Sequence, residues 1–201
     1  TRSLHVTGVQ TCALPIFKIL PGGVVTAKDT AEIELDANGE FVRNPEVDLV
    51  KVAVVERHQG TGNVACGFLK GYGIKEGAVA LSVAHDSHNI IVVGVNDEEM
   101  EFAVNSLIEQ EGGIVLVKEG KVIESMPMPI AGLMSDQSGE WVDQKLTDIH
   151  EKAYEELGIC GDVEPVMTLC FMSLAVIPEI KLTDMGLFDV TTFSFIPVEV
   201  E

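Results

Sequence analysis

The chain has 201 residues, 46% hydrophobic and 22% charged, a composition that builds one packed core with sequence to spare and excludes a disordered chain. Its 13 Lys and Arg stand against 32 Asp and Glu, and the net charge of −19 repels polyphosphate backbones and anionic bilayers, so neither nucleic acid nor membrane is expected as a partner. The longest apolar stretches, such as Ile90 to Val95 and Leu169 to Ile177, are too short or too interrupted to span a bilayer, and no basic stretch leads into an apolar run as in a signal peptide. The expectation is a soluble, cytoplasmic protein.

The first segment, 1–16, differs in style from the rest of the chain. The stretch from Val6 to Ile16, VTGVQTCALPI, reads as a translated short-read sequencing adapter. It is set aside as non-native together with His5 and Cys12, and the natural reading frame is expected to have been cut near Phe17. Residues 17–45 read as short strands with turns, including alternation through Ala31 to Leu35 and a turn over Asp36 to Gly39. They are taken as a β-rich remnant of a preceding domain. The main domain is drawn as 46–201.

Four β-rich runs come next, Leu49 to Val55, Val64 to Leu69, Ala78 to Ala84 and Ile90 to Val95, each bounded by Gly, Asn, Asp or Ser. The unbroken apolarity of the fourth predicts a strand buried on both faces. A helix is predicted from an Asn96 cap, with three glutamates near its start and Met100, Ala103, Val104, Leu107 and Ile108 on one face, ending at Gly112 and Gly113. Ile114 to Val117 and Val122 to Ser125 flank a hairpin turn at Glu119 and Gly120. A second helix starts near Ser138 with Val142, Leu146, Ile149, Ala153 and Leu157 inward, and Gly158 stops it. Val166 to Val176 and Leu187 to Val198 return to apolar, β-branched, strand-like text broken by Pro178 and Gly186. The fold class is α/β or α+β, a layered mixed sheet with about two main helices.

The densest polar cluster is His85, Asp86, Ser87, His88 and Asn89, set between two apolar strands. Two histidines are natural proton carriers and unusual in a turn, so a binding or proton-transfer site at a sheet end stands beside the plainer reading of a turn rich in Asp, Ser and Asn. Glu56, Arg57 and His58 end another apolar strand, either as a salt-bridged strand end or as neighbours of the first cluster. Gly67, Gly71 and Gly73 with Lys70 and Lys75 match no phosphate loop, and Met126 to Met134 reads as core filler or the lining of an apolar pocket. Cys12, Cys66, Cys160 and Cys170 lie far apart with no zinc-ligand spacing, and buried free thiols are expected. No serine nucleophile elbow, no H-E-x-x-H and no H-x-E with P-C-x-x-C occurs, so cytidine-deaminase chemistry is not available here.

Five blocks taken in order, VVERH from Val54, GFLKGYG from Gly67, SVAHDSHNIIVVG from Ser82, MPIAGLMS from Met128 and LTDMGLFDV from Leu182, resemble the C-terminal domain of bacterial adenine deaminases. The resemblance runs from about Asn44 to the end of the chain. It implies a parent enzyme of the amidohydrolase superfamily that hydrolyses adenine to hypoxanthine and ammonia in purine salvage. In such enzymes a divalent metal, manganese or iron, activates water at the mouth of a (β/α)8 barrel. The ligands there are a His-x-His pair with further histidines and acids, none of them in this chain. His85 and His88 are spaced i, i+3 and belong to the appended domain, so no metal ligand is assigned.

The resemblance makes adenine the substrate of the parent and its barrel the partner of this domain, with homo-oligomerisation left open. The fragment alone is expected to hold no metal and to be inactive. His85, Asp86, Ser87, His88, Asn89, Glu56, Arg57 and His58 are then candidates to contact the purine or an outer-shell water. The alternative is a structural or oligomerisation module whose polar cluster only folds a turn.

Overall fold

A computed structural model of the protein describes residues 13–20, 22, 24–36 and 41–197. The chain runs β1 (Ala13–Ile19), β2 (Thr26–Glu32), β3 (Glu34–Leu35), β4 (Phe41–Val42), β5 (Leu49–Val55), β6 (Val64–Lys70), β7 (Ala78–Leu81), β8 (Ile90–Gly94), α1 (Asp97–Glu109), β9 (Gly113–Lys118), β10 (Lys121–Pro127), α2 (Gly139–Glu155), α3 (Pro165–Cys170), β11 (Ile180–Thr183), β12 (Gly186–Asp189) and β13 (Ser194–Phe195). Eight strands form one sheet in the order β10-β9-β7-β8-β5-β6-β1-β2. All its neighbours are antiparallel except β1 and β6, which run parallel at Phe17 beside Leu69 and Lys18 beside Lys70, so the sheet is mixed. The expected layered α/β arrangement is what the chain adopts, with two longer helices and one short one among the described residues.

The period-2 alternation of side chains sorts the central strands between two cores. Val50, Val52 and Val54 of β5, Val79 and Leu81 of β7, Ile91 and Val93 of β8, and Ile114 and Leu116 of β9 point to one face, where Ile149 and Ala153 of α2, Leu169 of α3 and Ile180, Leu182 and Leu187 of the small β11-β12-β13 sheet cover them. Ala53, Ala80, Val92, Val115 and Val117 point to the other face, under Met100, Ala103 and Leu107 of α1. All five residues of β8 are buried, as its unbroken apolarity requires of a central strand. Each fully buried Val, Leu or Ile contributes about 1.5–3 kcal/mol relative to an exposed one.

The helix ends arise from local chemistry. Asn96 caps α1 by accepting from the Glu99 N–H at 2.8 Å, and Asp97, Glu98 and Glu99 sit at the positive end of its dipole. Ile108, assigned to the apolar face by its spacing, is 55% exposed. At 3.6 residues per turn it lies about 80° round the helix from Met100, beyond the edge of the sheet-facing stripe. Ser138 caps α2, whose half-buried Val142 and Leu146 lead into the buried Ile149 and Ala153.

The β-branched composition from Val166 predicts a strand, yet Pro165–Cys170 is a helix. Pro165 supplies the preset first turn and the Glu164 side chain caps the Met167 N–H, so terminal signals override that composition. Of the thiols, Cys170 is buried, Cys66 is half-buried and Cys160 is exposed, so burial does not extend to all of them.

Ala13 to Ile16 of the adapter-like stretch lie in β1, with Leu14 and Ile16 buried against Ile33, Leu49 and Phe68. Phe17 and Ile19, from the segment expected to be a remnant, reach the main core, and β2 joins the far end of the large sheet. His5 and Cys12 lie outside the described residues, as do Ala37 to Gly39 of the turn placed at Asp36. No helix among the described residues is long and apolar enough to cross a membrane.

Candidate functional site

The strand register gathers the polar segments at one end of the sheet. Val55 pairs with Ile90 and with Val64, Leu81 pairs with Ile114, and Gly113 pairs with Pro127. The chain leaving β5, the 82–89 connection, the Gly112–Gly113 turn and the 128–134 loop therefore emerge side by side. Glu56 to His58 and His85 to Asn89, distant in sequence, are neighbours here.

Arg57 joins three of these segments. Its Nε donates to the His88 carbonyl at 2.5 Å, its Nη2 donates to the Ala131 carbonyl at 2.9 Å, and its backbone N–H donates to Asn89 Oδ1 at 3.3 Å. Burial lowers its pKa, but an arginine has so high an ordinary value that it keeps its charge. Gly132 lies against this guanidinium: a Cβ there would fall 2.9 Å from Nη1, and the backbone φ of +73° is one that glycine adopts without penalty. Beneath it, the buried Ser82 hydroxyl donates to the Gly132 carbonyl at 2.5 Å and accepts from the Gly113 N–H at 2.8 Å.

The two histidines of the 85–89 segment touch, with ring centroids 5.3 Å apart, and His85 also packs on Phe171 at 4.9 Å. The His85 N–H donates to the Cys170 carbonyl at 2.8 Å, which ties the loop to the end of α3. His88 has a φ of +53°, in the left-handed region, and its Nδ1 is buried with no hydrogen-bond partner. Its pKa is lowered, first by burial and then by His85, Arg57 and His58, with Asp86 partly opposing. That shift favours the neutral form of the ring, which can donate a hydrogen bond from one nitrogen and accept one at the other. Asp86 and Ser87 are exposed beside it.

The remaining candidates serve the loops themselves. Asn89 is 4% exposed, its oxygen facing the Arg57 N–H. Glu56 accepts from the N–H groups of His58, Gln59 and Thr61 and from the Thr61 hydroxyl, and these bonds hold its carboxyl down at about 2. It therefore caps its own turn, and its carboxylate oxygens are taken up by the groups of 58–61. His58 is exposed, and its Nε2 lies 2.7 Å from the Ser87 carbonyl. The expected salt-bridged strand end is absent among the described residues, since both Arg57 and Glu56 are used on loop backbone.

A metal does not fit this end of the sheet. Among the described residues no three His, Cys, Asp or Glu side chains come together as a ligand set. What the arrangement offers is a rim of hydrogen-bonding groups, His85, Asp86, Ser87 and His88, on a backbone fixed from below. Sequence reasoning passed over Ser82, Gly132 and Phe171. Only Ser82, a lone hydroxyl at the end of an apolar strand, carried a local sign of its role.

The sequence matches the model of the adenine deaminase C-terminal domain over residues 23–194. It is 68% identical over 191 residues to adenine deaminase 2 of Desulfotalea psychrophila, covering 95% of this chain and 33% of that protein. Against the adenine deaminase of Ligilactobacillus salivarius it is 49% identical over 183 residues, with 91% of this chain and 32% of that protein covered. For the adenine deaminase of Desulfatibacillum aliphaticivorans the identity is 50% over 181 residues, 90% of this chain and 31% of that protein. The chain thus spans about a third of the length of these relatives. With the ordered sequence blocks, the layered fold and the domain match in agreement, this chain belongs to the adenine deaminase C-terminal domain family.

Proposed function

We propose that the chain is the C-terminal part of an enzyme that hydrolyses adenine with water to hypoxanthine and ammonia, and that the rim from His85 to His88 completes an active site built mainly by the rest of that enzyme. The observation that carries this reading is the rim itself: two histidines in ring contact and two exposed polar side chains on a backbone tied by Arg57 and His58, in a chain whose relatives are named adenine deaminases. A divalent metal, manganese or iron, supplies the activated water when bound. The described residues form no ligand set, so the reading assigns that metal to the barrel and gives this chain the tasks of orienting the purine or an outer-shell water and closing the site against bulk solvent. The same reading places the enzyme in cytoplasmic purine salvage. It keeps 46–201 as the C-terminal domain, 17–45 as a β-rich remnant of the preceding domain and 1–16 as non-native.

The test is adenine deamination by the intact enzyme, by the enzyme lacking 46–201 and by this chain alone. Ammonia release is expected from the intact enzyme only, with no stoichiometric metal on the chain alone. Ammonia release from this chain with added manganese would overturn the division of labour, and full turnover without 46–201 would leave a structural or oligomerisation module. A genomic clone that encodes 1–16 would refute the reading of that segment.

A further inference from the structure

Five non-glycine residues of the described chain hold a positive φ: His88 at +53°, Glu111 at +66°, Glu119 at +52°, Ala131 at +60° and Phe193 at +52°. Glu111 comes just after the end of α1, Glu119 turns the β9-β10 hairpin and Phe193 lies in the turn before β13, all places where a chain must reverse. His88 and Ala131 also lie in turns, in which the Ala84 carbonyl accepts from the His88 N–H at 2.6 Å and the Ile130 carbonyl accepts from the Leu133 N–H at 3.1 Å, and they share something more. Their carbonyls are the two acceptors of one guanidinium, Arg57 Nε at 2.5 Å and Arg57 Nη2 at 2.9 Å.

The left-handed region is unfavourable for residues with a Cβ and persists only where the surroundings impose it. The turns themselves ask for that backbone, and a planar fork with fixed donor directions is suited to hold two of them at once, where a lysine ammonium is not. No carboxylate competes for the fork: among the described residues Arg57 forms no ion pair, its partners being backbone carbonyls in a chain of net charge −19. Gly132 brings the loop backbone close to the guanidinium, where a Cβ would fall 2.9 Å from Nη1 and push it aside. His58 adds a further tie through the Ser87 carbonyl.

We infer that Arg57 is a positioning residue, which acts on the reaction through the backbone of His88 by clamping the His88 and Ala131 loops into one rim. It does not itself meet the substrate. Its grip fixes which way the His88 ring leaves the chain, and hence the contact of that ring with His85. This rests on the reading of the rim as part of an adenine deaminase site.

The intact enzyme is made as R57A, R57K, H88A and the R57A/H88A double variant, and kcat, KM for adenine, bound metal and melting temperature are measured. R57A and H88A are each expected to lower kcat/KM roughly 10- to 100-fold with bound metal unchanged. The double variant falls no further than the more damaged single one, because both changes remove the same placement. R57K stays impaired, since one ammonium does not span two carbonyls, and added methylguanidinium recovers part of the turnover of R57A and none of that of H88A. Losses that multiply in the double variant, or full turnover in R57K, would overturn the clamp while leaving the rim reading intact. Unchanged turnover in H88A would remove the rim reading and the clamp with it. Where R57A does not fold, R57K decides alone: normal melting with reduced turnover is expected, and normal turnover sinks the inference.

Discussion

Strands β5 and β8 run side by side through the middle of the sheet, and where they end the rim begins, so two kinds of order meet within a few residues. In the sheet, Val52, Val54, Ile91 and Val93 are placed by burial: each has one face to hide and the pleat decides which core receives it. In the rim, Glu56, Arg57 and Asn89 are placed by directed hydrogen bonds to backbone groups, and several of the side chains around them stay in water. The first kind is tolerant in detail, because many apolar residues fill a core; the second is not, because a donor must find its acceptor. Damage to the sheet should therefore cost the fold, and damage to the rim should cost the chemistry while the fold survives.

The largest effect is expected in the sheet, at Gly77, which has a φ of +68° and leads into β7. A Cβ there would fall 2.0 Å from the Val117 carbonyl oxygen of the neighbouring strand. Gly77→Ala is expected to lower unfolding free energy by more than about 3 kcal/mol in urea denaturation, since both the backbone angle and the contact are violated. Ser82 stands on the border of the two regions. Ser82→Ala strips the Gly113 N–H and the Gly132 carbonyl of a buried partner, and a loss of about 2–3 kcal/mol is expected by the same measurement.

A gain is expected next. Lys181 of β11 is fully buried, and burial pushes its ammonium down to about 8 from 10.5, with one hydrogen bond to the Val24 carbonyl at 3.3 Å. The folded state thus binds its proton less tightly than the unfolded state, so stability should rise as pH goes from about 8 to 10.5. Lys181→Met should stabilise at neutral pH by about 2 kcal/mol and abolish that rise, measured by melting across the same range.

The sharpest cut between the two regions comes from His85→Ala in the intact enzyme: turnover at least roughly tenfold lower, with stability within about 0.5 kcal/mol of the parent. A melting temperature that falls while turnover holds would reverse the comparison. Smallest of all is a pH effect at His88. Its lowered pKa means that the unfolded chain takes up the proton first, so stability should decline as pH falls below 6.5 and this part of the decline should vanish in His88→Ala.

This division also explains what the amino-acid text disclosed. The buried β8 run, the Asn96 and Ser138 caps and the Glu119-Gly120 hairpin are written in local residue types, and each forms where those types place it. The helix at Pro165 was legible too, in Glu164 and Pro165, but its β-branched interior argued more loudly for a strand. The addition of β1 and β2 to the sheet through a parallel pair with β6 depends on contacts between distant segments, which no local pattern encodes. At the rim, the polar residues of 56–58 and 85–89 stood out by type, and their lying together was one of the two arrangements open for 56–58. Their separate tasks were hidden, because Arg57 and His58 both reach carbonyl oxygens, and every residue in the sequence has one of those.

An arginine that holds its neighbours by their main chain is indifferent to what those neighbours carry. Asp86, Ser87 and the methyl group of Ala131 take no part in the hydrogen bonds that Arg57 makes, so the contour of the rim is separable from the functional groups displayed on it. Exchange of Asp86 for another small polar residue leaves those bonds in place and alters the chemical face presented, whereas Ser87 Oγ also accepts from the Asn89 N–H at 3.4 Å and belongs in part to the scaffold. On the proposed reading of the rim, Asp86 is a natural starting point for altering substrate preference without rebuilding the loop beneath.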